Sequence, residues 1–139
     1  MSKTSLALVL LILSLVAAAC GGSDTDQSTA GIRVVSASDA ETIQAEPPAG
    51  LTILDLRTPE EFASGHIEGA TMIDFYAADF RDRLEELDPT QPYLIYCRSG
   101  NRSSQTRAIL EDLEFADVAD VDGGIVAWQS QGLPLTFDG

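Results

Sequence analysis

Short apolar runs alternate with stretches of helical character along most of this 139-residue chain, and that alternation limits the fold more than any other feature. Each run is short, apolar and bounded by polar or turn residues, which is typical of a buried strand. The five runs are 32–35, 51–54, 71–73, 93–96 and 118–121. Strands that alternate with helices predict an α/β fold, in which a mostly parallel central sheet carries helices on both faces.

Two of the intervening stretches carry recognisable helix signals. Thr58 is followed by Pro59 and, three residues on, by Glu61, which is the pattern of a capping box with proline in the first turn. Phe80 and Leu84 begin an apolar stripe with helical spacing that ends before a proline. Both segments are interpreted as scaffold.

The apolar run 93–96 leads directly into Cys97, which begins a polar loop that contains Gly100. Helical spacing follows over 103–114, so Cys97 is predicted to lie where a parallel strand gives way to a helix. Ligands bind at this edge of open α/β sheets, and the amide groups at the start of the helix favour negative charge. With Arg98 and Arg102 nearby, these surroundings favour a thiolate, which is the nucleophilic form of cysteine. The alternative is an inert, half-buried cysteine at a strand end.

Four ordered blocks of sequence resemble the rhodanese-like sulfurtransferase family. The loop reads Cys-x-x-Gly-x-Arg-Ser over 97–103, and two upstream blocks read LDLRTPEEF over 54–62 and GHIEGA over 65–70. The last block reads DGGIVAW over 122–128 and is followed by GLP over 132–134. The resemblance implies a single rhodanese-like domain over 32–136, with a three-layer fold.

The same resemblance implies a sulfurtransferase that uses Cys97 as its catalytic nucleophile. Cys97 would take the outer sulfur of a small anionic donor such as thiosulfate, hold it as a persulfide and pass it to cyanide or a thiol. No metal and no organic cofactor is expected. The residues expected to bind the donor are those that follow the cysteine in the loop: Arg98, Ser99, Gly100, Asn101, Arg102 and Ser103.

Other function classes stay open at this point. The domain could serve as a tethered persulfide carrier or binding module for a redox protein. A cysteine-based phosphatase or arsenate reductase on the same fold is a weaker alternative, because those relatives have one more residue between the cysteine and the arginine. His66, the only histidine, could act as a base for the thiol. In the resembled family, however, its segment is a structural turn.

The residues Asp55 and Arg57 could be read as an acid and a base. We expect instead that Arg57 pairs with a carboxylate such as Glu61 and holds the loop that follows the second strand. A metal site is not expected, because one histidine and one cysteine other than Cys20, which is expected to carry lipid, offer too few soft ligands.

The start of the chain predicts export. Lys3 precedes an apolar run over 6–19, which is shorter than the roughly 20 residues that a spanning helix needs. Small residues end this run just before Cys20. The pattern resembles a bacterial lipoprotein signal over 1–19, with lipid on Cys20 and a flexible tether over 20–31. We therefore expect a protein anchored to the outer face of a bacterial membrane, at the cell surface or in the periplasm; Cys20 could instead be an ordinary thiol.

The formal net charge of −14 restricts the partners of the chain. A surface this acidic argues against nucleic acid and against electrostatic binding to anionic lipid, so attachment to a membrane would rest on the lipid. Attraction for an anionic donor would have to be local, from the loop amides and arginines, because charges are screened within about 8–10 Å in physiological salt. We expect a monomer, with a redox protein as a possible partner.

Overall fold

The computed structural model describes residues 31–137, in which five strands and five helices alternate along the chain. The strands are β1 (Gly31–Val35), β2 (Thr52–Asp55), β3 (Ala70–Met72), β4 (Pro92–Tyr96) and β5 (Asp117–Val121), and the helices are α1 (Ala37–Ala45), α2 (Pro59–Ala63), α3 (Phe80–Glu85), α4 (Asn101–Asp112) and α5 (Gly124–Ser130). All four strand pairs are parallel, in the order β1-β5-β4-β2-β3. The predicted α/β class and the five predicted strands are confirmed.

The sheet separates two apolar cores, one on each face. The core on one face contains Leu54, Ile95 and Cys97 and is covered by side chains of α3 and α4. The core on the other face contains Leu94 and Trp128 and is covered by α1 and α5. Residues alternate between faces along each strand, which is why Leu94 and Ile95 belong to different cores. The predicted placement of helices on both faces is therefore confirmed.

The capping box predicted at Thr58 is also confirmed. The hydroxyl of Thr58 accepts a hydrogen bond from the Glu61 amide, and the Glu61 carboxylate accepts one from the Thr58 amide, so the capping box is complete at the start of α2. Trp128 is fully buried and its indole Nε1 donates a 2.8 Å hydrogen bond to the carbonyl of Pro134. The indole fixes the segment after α5 to the core.

The predicted signal peptide 1–19 lies outside the described residues, as does the predicted tether 20–31 apart from Gly31, which begins β1. Over residues 31–137, no helix combines the length and the apolar character needed to cross a bilayer.

Candidate active site

Cys97 follows β4 directly and lies at the carboxyl end of that strand, as predicted. The helix α4 begins at Asn101, two residues before the predicted start at 103. Gly100 precedes it with φ +100°, a left-handed backbone conformation that glycine adopts without steric cost. This conformation turns the chain sharply, so the loop between strand and helix is only four residues long, 97–100.

The sulfur of Cys97 lies inside the turn of this loop and accepts hydrogen bonds from the backbone. The amide of Gly100 donates to Sγ at 3.1 Å and the amide of Ser103 donates at 3.5 Å. The hydroxyl oxygen of Ser103 lies 3.6 Å from the same sulfur and accepts the thiol proton. Cys97 is only 1% exposed. Donors aimed at a buried sulfur favour its anionic form, because hydrogen bonds to a charged group are the stronger ones.

The carbonyl groups of Cys97 and Arg98, the first two residues of the loop, are bound by α5. The amide of Ile125 donates to the Cys97 carbonyl at 2.9 Å, and the amide of Val126 donates to the Arg98 carbonyl at 3.1 Å. This contact requires glycine at position 124, where a Cβ atom would lie 2.4 Å from the Cys97 carbonyl oxygen. With the carbonyls occupied, the loop presents amide donors to the sulfur.

Arg102 is held by Glu61 across the mouth of the loop. The guanidinium donates two hydrogen bonds to the carboxylate, at 2.7 and 2.8 Å, and lies 5.6 Å from the ring centroid of Tyr76. The hydrogen bonds from Arg102 lower the pKa of Glu61 to about 2. The expectation that Arg57 pairs with Glu61 is wrong. Glu61 takes one N–H from each terminal nitrogen of Arg102, and contact between the remaining N–H groups and a donor stays a prediction.

The remaining loop residues that were predicted to bind the donor differ in their exposure to solvent. Arg98, Ser99 and Asn101 are exposed, whereas Ser103 is fully buried beneath the sulfur. Arg98 is therefore the loop cation with an exposed side chain. The structure brings the predicted residues together around Cys97, because all of them lie in one turn and the first turn of α4.

Arg57 forms a buried ion pair with Asp55 instead. Its guanidinium donates to both Asp55 oxygens, at 2.6 to 3.0 Å, and to the carbonyl of Gly65 at 2.8 Å. The pair fixes the end of β2 to the turn that begins at Gly65. Tyr96 supports the same turn, because its hydroxyl accepts a 3.1 Å hydrogen bond from the Ile67 amide, and burial raises its pKa. This geometry fits a structural role for Asp55 and Arg57.

His66 is fully buried beside α2. Its ring stacks on Phe62 with 3.7 Å between centroids, and Nδ1 lies 3.1 Å from the Phe62 carbonyl oxygen. Its backbone exchanges two hydrogen bonds with Thr136, at 3.0 and 2.8 Å. These contacts connect the turn after α2 to the last described residues and support a structural role for His66.

One further ionisable residue near the cysteine was missed by the sequence reasoning. Asp120 lies on β5 and is 3% exposed. Burial raises its pKa to about 6, and this effect is opposed by the nearby Ser103 hydroxyl and by the positive charge of Arg107. The signal was present in the sequence as a carboxylate inside the apolar run 118–121, because buried aspartates without a partner are rare.

Comparison with known proteins agrees with this geometry. The model of the rhodanese-like domain family matches residues 36–131. The thiosulfate sulfurtransferase GlpE of Pseudomonas entomophila is 36% identical over 97 residues, which cover 69% of this chain and 84% of that protein. A sulfurtransferase of Allochromatium vinosum is 37% identical over 83 residues, which cover 60% of this chain and 76% of that protein.

Solved structures give the same assignment. A rhodanese-related protein from Thermoplasma volcanium superimposes with a TM-score of 0.67 at 28% identity, over 76% of this chain and 99% of that one. A rhodanese-like domain protein from Staphylococcus aureus gives a TM-score of 0.65 at 28% identity, over 77% of this chain and 99% of that one. The sequence, the strand order and the cysteine loop thus agree, and the chain belongs to the rhodanese-like domain family.

Proposed function

We propose that this protein is a sulfurtransferase that carries sulfane sulfur on Cys97. The observation that carries the proposal is the placement of the Gly100 and Ser103 amides around the sulfur, at 3.1 and 3.5 Å. Such donors stabilise a thiolate and, after transfer, the terminal sulfur anion of a persulfide. Relatives named as thiosulfate sulfurtransferases, with about a third of their residues identical, support the same chemistry.

The proposed reaction has two balanced steps. The Cys97 thiolate attacks the outer sulfur of thiosulfate, an S–S bond forms as the donor's own S–S bond breaks, and sulfite leaves with the electron pair. The enzyme then carries a persulfide anion. In the second step cyanide or a thiolate attacks the outer sulfur, which yields thiocyanate or a new persulfide and returns the Cys97 thiolate.

Arg98 is the residue best placed to meet an anionic donor. Its side chain is exposed on the loop that holds the sulfur, and sulfite that leaves in the first step carries negative charge that a guanidinium stabilises. Ser99 and Asn101 are exposed next to it and add hydrogen-bond donors at the same opening. Arg102 would contribute through its positive charge and by holding the loop in position.

Mass spectrometry of the intact full chain tests the proposal. After treatment with thiosulfate and removal of excess reagent, the wild type should gain the mass of one sulfur atom, and cyanide should remove it. Cys97→Ser should gain nothing. The matched control is Cys20→Ser, which removes the other cysteine of the chain and should still gain the sulfur.

Two outcomes would contradict the proposal. An adduct that persists in Cys97→Ser and disappears in Cys20→Ser would show that Cys20 is the reactive thiol. An unmodified wild type that hydrolyses an aryl phosphate would favour a phosphatase. Transfer that proceeds only to a protein thiol, with no turnover on cyanide, would identify the domain as a persulfide carrier for a partner.

Export and lipid attachment at Cys20 form a separate part of the proposal and rest on the sequence of residues 1–20. The full chain expressed in a bacterium should partition into the detergent phase of a Triton X-114 extract. Cys20→Ser should move to the aqueous phase, whereas Cys97→Ser should partition like the wild type. Equal partitioning of the wild type and Cys20→Ser would contradict lipidation at this residue.

A further inference from the structure

Asp120 is a buried carboxylate that the proposed reaction does not use. Within residues 31–137, its Oδ1 is buried without a hydrogen-bond partner. Its Oδ2 lies 3.0 Å from Nε of Arg107, but the two groups are not aligned for a hydrogen bond. Because the Asp120 carboxylate makes so few hydrogen bonds, it loses little stabilisation when it accepts a proton.

The sheet register places this carboxylate behind the reactive sulfur. Asp120 pairs with Ile95 across β5 and β4, and Cys97 follows two residues after Ile95. Side chains two residues apart point to the same face of a sheet, about 7 Å apart along the strand. Asp120 and Cys97 therefore face α4 together, with Cys97 nearer the opening of the loop.

Ser103 connects the two groups. Its Oγ lies 3.6 Å from the Cys97 sulfur and accepts the thiol proton. The hydroxyl has one proton of its own, which it donates to the Gly100 carbonyl at 3.2 Å or, after rotation, to Asp120. One hydroxyl thus lies between the thiol and the carboxylate.

The charged groups that act on Asp120 are few. Arg107 on α4 favours its ionised form, whereas Asp122, just beyond β5, disfavours that form. Its neighbours on the adjacent strands, Val34 and Ile95, are apolar. Tyr93 and Cys97 belong to the core on the same face of the sheet, and the Ser103 hydroxyl is the group that connects the Cys97 thiol to the carboxyl.

We propose that Asp120 is a positioning residue that receives the proton of Cys97 through the Ser103 hydroxyl. The Cys97 S–H bond breaks and its electron pair stays on sulfur. The proton passes to Ser103 Oγ while the Ser103 proton passes to Asp120. Cys97 and Asp120 together carry one negative charge before and after the transfer. The charge moves from a carboxylate whose Oδ1 has no hydrogen-bond partner to a sulfur that accepts two amide hydrogen bonds.

The inference rests on Cys97 as the reacting thiolate, and its test does not depend on sulfur transfer. The rate of Cys97 alkylation by iodoacetamide measures the thiolate fraction as the pH changes, in the full chain with Cys20→Ser as background. Two interacting groups lose their protons in two coupled steps, so we expect the alkylation rate of the parent protein to rise in two steps as the pH increases. Asp120→Asn should show a single step.

Asp122→Asn is the matched control, because it makes the same chemical change at an exposed carboxylate two residues away. It should keep both steps. An alkylation profile that is the same in Asp120→Asn and in the parent would overturn the inference, even if thiosulfate still modified Cys97. Loss of the thiosulfate adduct together with an intact two-step profile would instead contradict the proposed function alone.

A second measurement needs no change at Asp120. The carboxyl carbon of Asp120 can be titrated by NMR before and after alkylation of Cys97. We expect two steps before alkylation and one step afterwards, because the modified sulfur no longer carries a proton. A carboxyl titration that alkylation leaves unchanged would contradict the coupling.

Discussion

Arg98 lies in the cysteine loop and Arg102 in the first turn of α4, and the two arginines differ in what surrounds them. Arg102 is bound at both ends of its fork by Glu61, whereas the side chain of Arg98 is exposed at the opening of the loop. The carboxylate of Glu61 fixes the Arg102 guanidinium in place and offsets its positive charge, which weakens its attraction for an anionic donor. We therefore expect Arg98 to bind the donor and Arg102 to hold the loop in position.

Arg98→Ala should therefore raise the KM for thiosulfate about fivefold, which corresponds to about 1 kcal/mol for one partly solvated ionic contact. Its midpoint of urea unfolding should be unchanged. Arg81→Ala is the control, because Arg81 pairs with Asp112 at the far end of α4, about 16 Å from the loop. A change in KM of the same size in both variants would contradict a local role for Arg98.

Glu61→Gln should lower the free energy of unfolding by about 1–2 kcal/mol at pH 7, because it replaces a two-hydrogen-bond ion pair by a neutral contact. The pKa of Glu61 is lowered from 4.5 to about 2 in the folded protein, so its contribution is complete above pH 4.5 and is lost as the pH falls towards 2. Urea unfolding at several pH values measures the difference.

Glu60→Gln is the matched control for this experiment, because Glu60 is the exposed neighbour of Glu61 on α2. It should leave stability almost unchanged across the same pH range. A stability difference for Glu61→Gln that grew on acidification would contradict the ion pair as its source.

At the scale of elements, α5 holds the cysteine loop through the amides of Ile125 and Val126, and Gly124 allows the close approach. Gly124 has φ +57°, and a Cβ atom there would meet the carbonyl oxygens of Cys97 and Arg98 at 2.4 and 2.7 Å. Gly124→Ala should cost about 3 kcal/mol or more and should weaken formation of the thiosulfate adduct, because the added carbon displaces the loop backbone. Urea unfolding and mass spectrometry measure the two effects.

Gly132→Ala separates backbone strain from this steric effect. Gly132 has φ +71°, but its Cβ would meet no described atom within 4 Å. We expect a loss of about 1–2 kcal/mol from the left-handed conformation alone and a normal adduct. An adduct reduced equally in both variants would contradict the bracing role of α5.

The features that the sequence predicts correctly depend on residues that are close together along the chain. Each of the five strands lies within one residue of its predicted run, and the capping box at Thr58 forms as expected, because both depend on neighbouring residues. The placement of Cys97 follows from the general rule that parallel strands end at one edge. These features needed no knowledge of distant contacts.

Pairings between distant residues could not be predicted in the same way. Glu61 and Arg102 are 41 residues apart and meet only because β2 lies beside β4 in the sheet. Arg57 was assigned to the wrong carboxylate, since spacing along the chain cannot distinguish Asp55 from Glu61. Asp120 faces Ser103 and Arg107 only once β5 is packed under α4.

At the scale of the whole molecule, the net charge of −14 acts against anionic reagents that approach Cys97. Raising the salt concentration from 0.01 to 0.15 M shortens the screening length from about 30 to about 8 Å, which weakens this repulsion but leaves contacts within the loop. Alkylation of Cys97 by iodoacetate, an anion, should therefore become about threefold faster over this range. Stopped reactions read by mass spectrometry give the rates.

Iodoacetamide provides the neutral control, and its rate should change little with salt. The Cys20→Ser background confines the reaction to Cys97. If iodoacetate instead became slower as salt increased, the positive charge of Arg98 would outweigh the charge of the molecule at the reactive sulfur.

Cys97 is only 1% exposed, and this burial limits the size of sulfur donors more than the size of acceptors. A donor must reach down between the loop residues to meet the thiolate, so small and narrow molecules are selected. In the proposed persulfide, the outer sulfur would extend about 2 Å beyond the Cys97 sulfur, towards the opening of the loop. Acceptors too bulky to touch the resting thiol can then collect it. We therefore expect small donors to reach the Cys97 thiolate, and larger acceptors to react only with the persulfide. Large disulfides should be excluded from the cysteine.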